Sequence, residues 1–309
     1  MNILYPNTAQ VSLKKNKPTE SWMKDWSLEE RLDKFFEFCE AFDQRQDHLL
    51  KTELQIFSHR LHWHEHPFVD LMQDVKDLEK LLTYVLMFSF TNEHWLTVNT
   101  YINESEAEFK RYCRTSRVSR SDLFQIYYPK GTVVKEWISE VPAKAAKDLV
   151  HLIQNVDQPY TMMQFTYLLE GYFKQHLGFR GPKYPCKNAS RYLAMARPDL
   201  VDPNTPLHGG TGHFDGLQQI FGGVNLNGKG KFELDDQGNY MPINKYANMW
   251  YNQMDALITH PKNPIHTHQY LNIEDKTCFF YKHIAISHSV KSATKKIPYE
   301  YMFPCEFEL

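Results

Sequence analysis

Glycine is nearly absent from the first half of this chain. Of its thirteen glycines, ten lie between Gly178 and Gly230, and Gly131 is the one within the first 170 residues. Glycine loses more backbone freedom on folding than any other residue, so it is used where a turn is tight or where backbone approaches something closely. A long stretch without it suits packed helices. The stretch HLGFRGPKYPCKNASRYLAMARPDLVDPNTPLHGGTGHFDGLQQIFGG, from His176 to Gly223, reads instead as a segment of turns and close approaches, and as the place to look for chemistry.

The chain has 309 residues, enough for one large domain or two. A net charge of −2 and a pI near 6.7 exclude a globally basic nucleic-acid binder, so any such binding needs a local basic patch. Aromatic residues make up 14% of the chain, leaving rings beyond the needs of a core. The five cysteines (Cys39, Cys113, Cys186, Cys278, Cys305) are scattered with no CxxC, which argues against a disulfide framework and a cysteine zinc site. A reducing cytoplasm is the expected location, the host-cell cytoplasm if the chain is phage-encoded. The N-terminal segment has no apolar run of the signal-peptide kind, and the run from Leu81 to Phe90 is too short to span a bilayer.

Residues 1–19 are expected to form an irregular arm, and 20–309 one large mostly helical domain: a helical body over 20–178, a Gly/Pro-rich site segment over 179–230 and a C-terminal part over 231–309. Ser27 and Glu30 have the spacing of a capping box, followed by Leu32, Phe35, Phe36, Cys39 and Phe42 at helical intervals. Pro67 suits the first turn of a second helix running through Leu86. Further helices are predicted over 92–112, 142–156, 160–177, 188–196 and 245–259, with another beginning near His213. Residues 224–242 read as a polar hairpin, and Thr277–Ile286 has the composition of a strand.

Five constellations could carry chemistry. His208-Gly209-Gly210-Thr211-Gly212-His213 places a G-x-G loop before a helix, where free N–H groups can hold a phosphate; the alternative is a helix start whose glycines serve turn geometry alone. Arg180, Lys183, Lys187 and Arg191 are four cations within twelve residues, interleaved with Tyr184 and Tyr192 and accompanied by Asn188. They read as an anion-gripping loop with rings for base stacking, or as a solvated loop. Cys186 lies in this cationic stretch, which predicts a lowered thiol pKa. Arg111, Arg114, Arg117 and Arg120 recur every three residues and could track a DNA backbone, or simply face water. His59, His62, His64 and His66, with His260, His266 and His268, could ligate a metal, although HExxH is absent; surface and helix-end imidazoles are the competing reading. Asp215, beside the glycine loop, and Glu170 are candidate general bases.

The layout, a helical body followed by a basic and glycine-rich pocket segment, resembles the phage amino-acid:DNA transferases (α-glutamyl/putrescinyl-thymine pyrophosphorylases), relatives of the helix-hairpin-helix DNA glycosylases. Tyr184–Tyr192 and Gly209–Gly216 carry the resemblance. It implies a mainly α fold, a helical bundle of the helix-hairpin-helix glycosylase type with small irregular and β additions at the C-terminus. It also implies an enzyme that displaces pyrophosphate from a 5-(pyrophosphoryloxymethyl)uracil base in double-stranded DNA with an amine or amino acid, after the base has left the stack. Other phage DNA-modification enzymes would be its pathway partners, with no membrane involved. On that reading, Arg180, Lys183, Lys187 and Arg191 neutralise the leaving pyrophosphate. Gly210, Thr211 and Gly212 hold a phosphate, Tyr184 or Tyr192 stacks on the base, and Asp215 or Glu170 takes the proton of the incoming ammonium. Lys187 counts with these two acids as a catalytic residue. No cofactor or metal ligand set is expected, and Mg2+ on the pyrophosphate is the one addition left open. The alternatives are a non-catalytic DNA-binding accessory protein and a His-ligated metal-dependent hydrolase.

Overall fold

The computed structural model describes residues 21–50, 67–90, 95–105, 107–109, 111, 140–154, 156–177, 183–207, 209–236 and 240–289. It is mainly helical. In chain order, the elements named below are α1 (Leu28–Leu50), α2 (Pro67–Asp74), α3 (Leu78–Phe90), α4 (Trp95–Asn103), α5 (Val141–Gln154), β1 (Tyr160–Thr161), α6 (Met162–Leu177), α7 (Lys183–Ala196), β2 (Val201–Asp202), α8 (Thr211–Phe221), β3 (Phe232–Leu234), β4 (Tyr240–Pro242), α9 (Lys245–Ile258) and α10 (Gln269–Ser289). No helix among the described residues is long and apolar enough to cross a membrane. The chain divides into two compact units, residues 1–48 with 208–309, and residues 49–207. The sequence alone reads as one large domain over 20–309.

The discontinuous unit is built on α1, α8, α9 and α10. The expected capping box starts α1: Glu30 N–H donates to Ser27 Oγ at 3.2 Å, and Ser27 N–H donates to the Glu30 carboxylate at 2.7 Å. The apolar stripe of α1 (Phe35, Phe36, Phe38, Cys39, Phe42) meets Phe214, Leu217 and Ile220 of α8, Trp250, Met254 and Leu257 of α9, and Ile273, Phe280 and Ile284 of α10 in one core. Phe280 sets its ring against both Phe35 and Phe38, with centroids 5.3 and 5.4 Å away. The segment before α1 is tied to α8 by Ser21 Oγ donating to the Gln219 carbonyl (2.8 Å) and by Trp22 N–H donating to Gln219 Oε1 (2.8 Å). An ion pair between the buried Lys276 and the half-buried Asp43, at 2.6 Å, joins α10 to α1.

The residues predicted as a strand, Thr277–Ile286, lie inside α10. β-branched and aromatic residues favour strands only weakly, and their packing overrides the preference. Here the buried side chains of Ile273, Thr277, Phe280 and Ile284 recur at helical spacing and face the core. The hairpin expected over 224–242 is present as β3 and β4, antiparallel, with Glu233 opposite Met241.

The continuous unit is formed by α2 to α7. The helix predicted to run unbroken from Pro67 ends at Asp74, and a new one starts behind Asp77, whose carboxylate accepts from Lys80 N–H at 3.1 Å. α3 (LEKLLTYVLMFSF) is buried around most of its circumference, as a helix of that composition must be. It packs against α5 and α7, and α7 also packs on α2 and α6. β1 and β2 form a two-residue parallel pair that brackets α6 and α7, with Tyr160 opposite Val201.

Candidate functional site

The cationic segment of the sequence is a helix rather than a loop. α7 opens at Lys183, five residues earlier than the spacing predicts, because Pro185 falls in its first turn, where the missing N–H would have no helical partner anyway. From Pro185 to Ala196 every residue is buried. Lys187 and Arg191, one turn apart on the same helix face, are 7% and 2% exposed. Asn188 and Ser190 are also buried. Ser190 Oγ and Thr166 Oγ1 both donate to the Met162 carbonyl, each at 2.7 Å, which ties α7 to α6. Cations taken out of water require compensating charge or hydrogen bonds, so two on one buried face make this a strongly polar stretch of interior.

Tyr184 and Tyr192 part company. Tyr184, at the start of α7, is 40% exposed, and Lys187 Nζ sits 5.7 Å from its ring centre. Tyr192 is a core residue whose ring meets Phe68 and Phe88 edge-on at 5.4 and 5.0 Å. It cannot serve as a platform for a base, which corrects that half of the expectation. The expected low thiol pKa of Cys186 is also overturned. Full burial pushes the thiol well above its ordinary value, and the negative charge of Glu170 raises it further. That coupling brings Glu170, half-buried on α6, into the electrostatic environment of α7. Arg180 lies outside the described residues, and Lys183 is the first residue of α7.

The glycine segment belongs to the other unit, and its glycines are absorbed by packing. Gly212 and Gly216 stand one turn apart on the face of α8 that meets α10. A Cβ on Gly216 would lie 2.1 Å from the Thr277 carbonyl oxygen, and one on Gly212 would lie 2.3 Å from Cys278 Sγ. Gly222, with φ +71°, ends α8 and returns its N–H to the Gln218 carbonyl. The N–H of Gly210, at the start of α8, donates to Oε1 of the buried Glu274 carboxylate at 2.9 Å. The anion that the helix N-terminus attracts is therefore one that the protein itself provides.

His213 is fully buried in the same contact. Trp250 Nε1–H donates to His213 Nε2 at 2.8 Å. The ring proton therefore sits on Nδ1 and is donated to Thr277 Oγ1 at 2.6 Å, and the threonine hydroxyl in turn donates to the Glu274 carbonyl at 2.9 Å. Asp215 is 6% exposed and accepts from Asn225 Nδ2 at 2.8 Å. The hydroxyl of Tyr281, a buried residue, is pushed up to about 12 by desolvation, with the Asp215 charge adding to the shift. Thr211 is exposed and accepts from Asn227 Nδ2 at 3.3 Å. This Trp-His-Thr-Glu chain leaves no mark in the sequence, because its members are separated by up to 64 residues and none carries a local motif.

Arg111 is exposed and paired to Glu108 at 2.5 Å, while Arg114, Arg117 and Arg120 lie outside the described residues. Of the histidines raised as metal ligands, His59, His62, His64 and His66 lie outside the described residues. His260 stacks on Phe36 at 4.9 Å and comes within 3.7 Å of Glu29. Among the described residues, no group of three or more His, Cys, Asp or Glu side chains could hold a metal ion.

No protein-family model, characterised protein or solved structure matches this chain.

Proposed function

We propose that this protein is a DNA base-modifying transferase whose anion-holding groups are Lys187 and Arg191 of α7. The amine nitrogen of an amino acid or polyamine attacks the exocyclic methylene carbon of a 5-(pyrophosphoryloxymethyl)uracil base. The new C–N bond forms as the C–O bond breaks, and pyrophosphate leaves with the electron pair. The carboxylate of Glu170 takes the proton lost by the incoming ammonium. The single observation carrying this reading is the burial of two cations on successive turns of one helix. Fixed charge in a water-poor interior stabilises developing negative charge far better than it does in water, and this is commonly the largest catalytic contribution. Asn188 lies between the two cations, and the exposed ring of Tyr184 is the stacking surface for the flipped base. The mainly helical fold agrees with a helix-hairpin-helix glycosylase type.

The test is product formation on a duplex carrying the pyrophosphorylated base, with a panel of amines, with and without Mg2+. Pyrophosphate release and the mass of the modified nucleoside are measured together. Lys187→Gln lowers turnover by about a hundredfold or more while DNA affinity stays near wild type. Lys187→Arg, which keeps the charge, retains part of the activity and controls for folding. Duplex binding by the wild type with no product in this assay would favour a non-catalytic DNA-binding protein. No altered thymidine with any amine, beside its pathway partners, would remove the reading.

A further inference from the structure

A second basic feature lies in the discontinuous unit, far in sequence from α7. Lys229, Lys231 and Lys245 are all exposed or half-buried at the surface. Lys229 and Lys245 place their ammonium groups 5.6 and 5.1 Å from the centre of the same ring, Tyr246. The two charges therefore sit no farther apart than the sum of those distances. Asn244 holds this arrangement together. Its side chain accepts from Lys231 N–H (3.2 Å) and from Ala247 N–H at the start of α9 (2.9 Å), and it donates to the Lys229 carbonyl (2.8 Å). The backbone around all three lysines is thus fixed by one buttressed turn. None of the three ammonium groups is ion-paired within the described residues. Glu233 lies on β3, and Asp235 and Asp236 lie beyond its end.

We infer that the base of this hairpin is a docking surface for the phosphate backbone of duplex DNA. Three surface lysines without carboxylate partners, held on a rigid turn in a chain of net charge −2, are a local basic patch rather than a share of a basic surface. Lysine supplies point charge without base readout, so the contact is independent of sequence. The choice of duplex DNA as the polyanion rests on the proposed function, while the lysines themselves take no part in the α7 chemistry.

The test is fluorescence anisotropy with a labelled, unmodified duplex, no amine present, over a series of salt concentrations. Each phosphate contact contributes about 0.9 to the slope of log affinity against log salt. Combining Lys229→Gln, Lys231→Gln and Lys245→Gln therefore flattens the slope by about 2 to 3. Between about 50 and 200 mM salt, wild type loses roughly fortyfold more affinity than the triple variant. The substitutions are at surface positions, and a circular dichroism melt verifies the fold. Lys144→Gln, at a surface lysine ion-paired to Asp148 in the other unit, leaves the slope unchanged, which shows that loss of any one surface charge is not enough. A slope that is the same in wild type and the triple variant, or wild-type protein that does not bind the duplex at low salt, overturns the inference.

Discussion

Two stretches of this chain look alike as sequence, and their structures differ. Lys183–Tyr192 and Gly209–Gly216 both promise to hold an anion, one through cations and the other through backbone amides. In the second, the promise is met from inside. The glycines let α8 lie against α10, and the Gly210 amide is taken by Glu274. In the first, the polar groups are drawn into the interior of a helical unit, where Lys187 and Arg191 are both buried. A glycine cluster is equally compatible with a ligand and with a neighbouring helix. A buried cation is costly to bury and needs compensating charge or hydrogen bonds around it.

The sharpest way to break this comparison is to add one methyl group to each unit. Gly216→Ala drives a Cβ to 2.1 Å from the Thr277 carbonyl oxygen, where backbone on both sides must move. It should destabilise its unit by about 3 kcal/mol, the upper range for overpacking, and speed hydrogen exchange in α8 and α10. An unchanged urea midpoint would show that the two helices do not touch there. Gly171→Ala is the counterpart in the continuous unit. Gly171 lies in α6 with nothing within 4 Å of the added Cβ. That variant should gain up to about 1 kcal/mol from helix propensity and reduced unfolded-state freedom, read from the same urea midpoint. A loss would mean that the α6 surface is covered by something.

The smallest effect concerns the surface of the continuous unit. Asp148 accepts from Lys144 Nζ and from the Tyr172 hydroxyl, each at 2.6 Å, and these two bonds hold its carboxyl below the ordinary aspartate value. Its contribution to stability is therefore present above the ordinary carboxylate range and is lost as pH falls through the lowered pKa. Tyr172 has the opposite sign. Burial raises it first, and the bond to Asp148 raises it further, so its contribution holds below about pH 10 and is lost as pH rises beyond. Both groups are near solvent, and the effect on stability is slight. Tyr172→Phe should move the Asp148 titration, followed by carbon NMR, up toward the ordinary value. An unmoved titration would show that the hydroxyl does not reach the carboxylate in solution.

Much of the helical framework is legible from local signals. The Ser27–Glu30 box, the stripe behind it, the helix over 245–258 and the hairpin before it follow from capping, periodicity and turn residues, and all are present. Elsewhere a local signal has two meanings, and the structure takes the other one. Pro185 reads as a brake on the very helix it helps to begin. Thr277–Ile286 has the composition of a strand, while its burial pattern is helical. Cys186 has the neighbours of an exposed cationic loop in sequence, but its surroundings in space are those of an interior.

The amino-acid order alone settles that this is a helix-rich chain, where many of its caps and turns fall, and that its glycines gather after residue 170, because each of these is written in neighbouring positions. Which glycine meets a carbonyl, which tyrosine is core and which is surface, and which carboxylate answers the Gly210 amide were decided by tertiary packing. Those pairings join residues dozens of positions apart, and only the close approach of α8 to α10, and of α7 to α2, α3 and α6, brings the partners within reach.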